Sequence, residues 1–123
     1  MPKTPNIRYS DDRLQASLYV KRRHIAESKP KDPYKCAVAL ALDDADIEHK
    51  GVAPETLFLR PNPLRCSPEL GNWIRLHDRE PDRSKLGEIT IGINWRTNYA
   101  YLAVKCDPQD DKLTRNEQER LKG

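Results

Sequence analysis

Apolar and polar positions alternate with a period of two over much of the chain. Leu14, Ala16, Leu18 and Val20 are separated by Gln15, Ser17 and Tyr19, which predicts a strand with one buried and one wet face. From Tyr34 to Leu42, Cys36, Val38, Leu40 and Leu42 fall on one side and Ala37, Ala39 and Ala41 on the other. That run predicts a central strand covered on both faces, with a short helix as the alternative its alanines allow. Thr56 to Arg60 predicts a short third strand, stopped by Pro61-Asn62-Pro63. Ser67-Pro68-Glu69 can cap one helical turn, after which Asn72 to His77 alternates again, with Trp73 set against Ile74 and Leu76. Leu86–Asn94 and Asn98–Cys106 flank the turn residues Arg96-Thr97-Asn98 and predict a β-hairpin. Its core-facing positions are Ile89, Ile91 and Ile93 on one strand and Ala100, Leu102 and Val104 on the other.

Prolines fall between these runs, at residues 30, 33, 54, 61, 63, 68, 81 and 108, and exclude long helices from most of the chain. Six strands with turn signals between them predict a mostly β fold, a small antiparallel β-sandwich or partly open barrel with a C-terminal β-hairpin. An α+β arrangement is the alternative. Residues 1–12 read as an extended N-terminal arm and 13–106 as one β-rich domain. Residues 107–123 form a charged tail, either a short helix or a disordered end.

The chain's 123 residues suffice for one core without disulfide staples. No stretch approaches the roughly 18 consecutive apolar residues of a membrane-spanning helix. The first residues are basic with no apolar segment behind them, so neither a secretory signal nor a transit peptide is visible. Cytoplasmic residence is expected, in a cell or in an infected host. The three cysteines, Cys36, Cys66 and Cys106, stand singly and read as reduced thiols.

Charge changes the picture by its placement. A formal net charge of +3 conceals nine Lys/Arg against four Asp/Glu in residues 1–40 and three against five in 41–66. The densest basic part comprises Lys21, Arg22, Arg23, Lys29, Lys31 and Lys35. Beside aromatic side chains such a cluster can meet phosphate; the plainer reading is a solvated loop that keeps sheet edges unpaired.

Signals for bond-making chemistry are sparse. Asp44, Asp46, Glu48 and Glu55 have the spacing of positions 1, 3, 5 and 12 of a calcium loop, but His49 stands where that loop needs glycine and Pro54 opposes the following helix. His24, His49 and His77 and the cysteines are strung out without the paired spacing of a zinc site, so no metal or other cofactor is predicted. Glu27-Ser28-Lys29 has the acid-x-lysine spacing of a metal-dependent nuclease, with Pro81-Asp82 downstream of it in the reverse of the usual order. A Cys/His hydrolase lacks any local signature. The expectation is a non-enzymatic module with no small-molecule substrate.

Recognition is the remaining candidate. If Ala100 and Leu102 face the core, Tyr99 and Tyr101 stand on the opposite face near Lys105, as Tyr19 stands near Lys21. Aromatics interleaved with cations on a sheet suit single-stranded nucleic acid, by stacking and by counterion release. The first expectation is therefore binding of nucleic acid or a nucleoprotein complex through Lys21, Arg22, Arg23, Lys29, Lys31, Lys35, Tyr19, Tyr99 and Tyr101. The alternative is a protein-directed accessory protein of a phage or mobile element, an inhibitor of a host factor or a virion or assembly component. It would dock or self-associate by a strand edge or the hairpin tip, with Trp95, Arg96 and Trp73 at the interface.

Overall fold

The computed structural model describes residues 6–105, with the backbone alone at Lys105. The tail over 107–123 and Cys106 lie outside the described residues. Seven strands, β1 (Ile7–Tyr9), β2 (Gln15–Val20), β3 (His49–Val52), β4 (Thr56–Leu59), β5 (Leu64–Cys66), β6 (Ile89–Asn94) and β7 (Tyr99–Lys105), form one mixed sheet in the order β1-β2-β6-β7-β5-β4-β3. It curls into a half-barrel, the partly open form of the mostly β fold expected from the pattern. Three short helices, α1 (Arg22–Glu27), α2 (Ala37–Asp44) and α3 (Pro68–Arg79), complete the described fold.

The hairpin β6–β7 is the centre of this sheet. Ile89, Ile91, Ile93 and Ala100 are buried, as are Leu18 and Val20 on β2 and Leu57 and Leu64 on β4 and β5. They share one core with Ala37, Val38 and Leu42 of α2 and Leu70, Trp73 and Ile74 of α3, so the helices line the inner face. Each large aliphatic side chain buried this way contributes about 1.5–3 kcal/mol.

Two expected strands are helices. Cys36–Leu42 lacks polar positions, so its spacing cannot distinguish the periods of strand and helix. Alanine's strong helix preference and a cap then decide, the Cys36 Sγ accepting the Ala39 N–H at 3.4 Å. In α3 the Ser67 Oγ accepts the Leu70 N–H at 3.2 Å and Pro68 occupies the first turn, where its missing N–H costs nothing. The buried residues Leu70, Trp73, Ile74 and His77 follow helical spacing, which overrides the short alternation over 72–77.

Within the expected arm over 1–12, Ile7–Tyr9 is edge strand β1, and Asn6, 1% exposed, donates to the carbonyls of Tyr19 and Ala41. Val104 also departs from expectation. Thr90 pairs with Val104 but Ile91 with Leu102, so a one-residue bulge turns Val104 to the outer face, where it is 53% exposed.

Candidate nucleic-acid interface

The core-facing residues leave their strand neighbours pointing outward, away from the helices. By register these are Arg8 on β1, Gln15, Ser17 and Tyr19 on β2, Thr90, Gly92 and Asn94 on β6, Tyr99, Tyr101 and Val104 on β7, Arg65 on β5, and Thr56 and Phe58 on β4. Four of these are aromatic, two are arginine and none is a carboxylate. The face thus offers π-surface and positive charge, with Glu88 at its edge beside Tyr19 and Thr90.

Its middle is ordered by contact. The rings of Tyr99 and Tyr101 are stacked with centroids 6.2 Å apart and planes inclined by 21°. Tyr101 lies over Gly92, where a β-carbon would collide with the ring, so glycine is what lets the ring rest on the neighbouring strand. Arg65, directly across the parallel β5–β7 pairing from Tyr99, holds its guanidinium 5.9 Å from that ring's centroid. The sequence reading named the tyrosines but missed Arg65, Phe58 and Arg8. The alternation in Leu64-Arg65-Cys66 and in Thr56–Leu59 marks Arg65 and Phe58 as outward, but only the strand order brings them to the tyrosines.

The predicted cations are placed apart from the stacked tyrosines. Lys21 adjoins Tyr19, the two lining a shallow depression with Glu88 and Thr90. The Arg22 backbone N–H donates to Glu88 at 2.7 Å and its guanidinium to the Arg83 carbonyl at 3.2 Å. Arg23 pairs with Asp44 at 2.5 Å. Lys29, Lys31 and Lys35 lie on the exposed loop between α1 and α2, where the Lys31 N–H donates to Asp78. The six cations and three tyrosines therefore do not make one continuous patch. The local clustering of basic residues follows the chain, whereas the sheet face is assembled across it.

The residues that raised catalytic or metal readings have other work. The His24 Nδ1 accepts the Lys21 N–H at 2.9 Å, leaving Nε2–H to donate to Asp44 at 2.9 Å. The His49 Nδ1 likewise accepts the Gly51 N–H, and its Nε2–H donates to Asp43. Of the acidic segment, Asp44 faces Arg23 and His24, Glu48 pairs with Arg60 and Glu55 with Arg75, so these carboxylates turn to separate cations. Among the described residues no cluster of metal-ligating side chains forms. Cys36 and Cys66 are buried free thiols, their pKa values pushed up to about 11 and about 12 chiefly by burial.

Ser28, His77 and Asp78 come together without any signal in the sequence. The Ser28 Oγ is 2.9 Å from His77 Nε2, and His77 Nδ1 is 3.2 Å from Asp78. Ser28 and His77 are buried while Asp78 is partly exposed, and Ser28 donates its proton to the Ile25 carbonyl at 2.6 Å. Arg83 Nη1 and the Ala37 N–H both point at His77 Nε2. Burial first, then Arg83, pushes the His77 pKa down, against the raising effect of Asp78. The arrangement locks α1, α2, α3 and the turn at Arg83 to one another.

The proposed protein-interface residues are engaged within the chain. Trp73 is 3% exposed in the core and tilts against His77. Trp95 stacks on Tyr9 at 6.0 Å, and Arg96 donates to Asp12 at 2.6 Å, fastening the hairpin tip to the β1–β2 turn. No described helix is long and apolar enough to cross a membrane.

By architecture the described residues form a small mixed-sheet half-barrel with helices on the inner face. No protein-family model matches it, and no curated protein or solved structure does either.

Proposed function

We propose that the outer face of the half-barrel binds single-stranded nucleic acid, free or within a nucleoprotein complex. One observation carries this reading: Arg65, Tyr99 and Tyr101 form a contiguous array of a guanidinium and two stacked rings on the outer positions of adjacent strands. Rings on a sheet face offer stacking platforms, each worth about 1–3 kcal/mol per base and indifferent to sequence because every base has a π-face. Arg8 and Arg65 supply charge for phosphates. The same reading places the protein in the cytoplasm, in keeping with the free, buried thiols of Cys36 and Cys66.

The test is fluorescence anisotropy with labelled single-stranded DNA, single-stranded RNA and duplex DNA at low and moderate salt. Single strands are expected to bind better than duplex, weakening as salt rises. Tyr99→Ala, Tyr101→Ala and Arg65→Ala are each expected to lower affinity about tenfold, and Arg22→Ala with Arg23→Ala to change it little. Wild-type protein that binds no single strand at low salt overturns the proposal.

A further inference from the structure

Beyond the tyrosines, at the end of β4 and its turn into β5, is a concavity of about 190 Å³ lined by Lys50, Phe58, Leu59, Arg60, Pro61 and Pro63. Buried Leu59 contributes to the lining beside Phe58, which is 43% exposed. Continuing the β4–β5 register by one residue places Phe58 opposite Pro63. The walls are thus an aromatic ring, proline rings and Arg60, which pairs with Glu48 at 3.3 Å, while Lys50, exposed, has no side-chain partner among the described residues. The volume lies below the roughly 300 Å³ at which pockets for drug-sized ligands begin. It suits a single planar ring system with an anionic group beside it.

Position ties this concavity to the tyrosines. Phe58 lies two strands and two residues from Tyr99. With strands about 4.8 Å apart and a rise of about 3.3 Å per residue, that is a diagonal of about 12 Å. This is about twice the 6.2 Å that separates Tyr99 from Tyr101. A chain whose successive bases match the tyrosine spacing therefore needs one further nucleotide to reach from Tyr99 to Phe58. Arg65, on the strand between them, stands beside that intervening unit.

We infer that the concavity at Phe58 receives a nucleobase and that the interface takes a four-nucleotide segment. Its bases lie on Tyr101, on Tyr99, beside Arg65 and in the Phe58 slot, with Lys50 on the adjoining phosphate. The inference rests on the proposed reading of the outer face and adds its extent and its end.

The experiment is an NMR titration of the full chain with oligothymidines and oligouridines lengthened one nucleotide at a time. Wild-type affinity is expected to rise by about tenfold between three and four nucleotides, as the Phe58 platform is reached, and then to level off. Phe58→Thr, which retains a residue suited to a strand, is expected to abolish that step. A step at another length, or one that survives Phe58→Thr while Tyr99→Ala still weakens binding, overturns the four-nucleotide inference alone. Absence of shifts with every oligonucleotide overturns the underlying reading as well.

Discussion

Tyr101 occupies the space that a side chain at Gly92 would need. The two residues are directly paired across the central hairpin, so the ring serves as the missing side chain of its neighbour. Gly92→Ala is expected to destabilise the fold by about 1–3 kcal/mol by driving the ring off the strand. Adding Tyr101→Ala should relieve much of that cost, and urea-denaturation midpoints of the single and double variants will reveal the coupling.

Asp44 joins α2 to α1 by accepting from Arg23 and His24. Asp44→Ala leaves the buried His24 Nε2–H without that acceptor and is expected to cost about 1–3 kcal/mol. Asp43, which is exposed and holds His49, is the control, since water can take its place. Asp43→Ala should stay within about 0.5 kcal/mol of wild type in the same assay.

Stability should fall on mild acidification. Burial holds the pKa values of His24 and His77 below the ordinary value of about 6.5. Below that value the unfolded chain takes up protons that the folded chain still refuses, so stability is full above about pH 6.5 and is lost as pH falls toward the depressed folded values. Denaturant midpoints from above pH 7 down to about pH 5.5 should decline. Arg83→Met removes a charge that opposes His77 protonation, so it should flatten the decline even if it lowers stability at every pH.

The two buried thiols should resist modification. With Cys106→Ser as background, a thiol reagent at about pH 8 is expected to leave Cys36 and Cys66 unmodified in the folded protein and to label both in urea. Mass spectrometry counts the adducts, and rapid labelling of either thiol without denaturant would contradict their burial.

The central hairpin was legible because Ile89, Ile91, Ile93 and Ala100 alternate about a turn whose Asn98 tolerates its φ of 54°. Helix α2 was hidden by an apolar run in which every spacing fits. Helix α3 was not hidden, since Ser67 and Pro68 announce its start and Leu70, Trp73, Ile74 and His77 mark its buried side. A four-residue alternation inside it simply competed with the longer period. The bulge at Val104 had no signal in the sequence, because one extra residue changes every later facing while leaving the residue types as they were. Of the candidate site, Tyr99 and Tyr101 could be read from one strand. Arg65 and Phe58 required the order of strands, which local spacing does not encode.

That order has one parallel junction. β5 meets β7 through two residue pairs, Arg65 with Tyr99 and Cys66 with Ala100, braced by the N–H groups of Arg65 and Ser67 on the carbonyls of Asn98 and Ala100. Every other junction is antiparallel, so the sheet is two antiparallel ribbons sewn along one short seam. The seam closes a loop of more than thirty residues, whereas the β6–β7 and β3–β4 turns close short ones. The β2–β6 junction closes a longer loop still, so the β6–β7 and β3–β4 hairpins can form early, and the β2–β6 and β5–β7 junctions are the late steps of folding. A nucleic-acid strand lying from Tyr101 to Phe58 would cross that seam and act as a stitch over it.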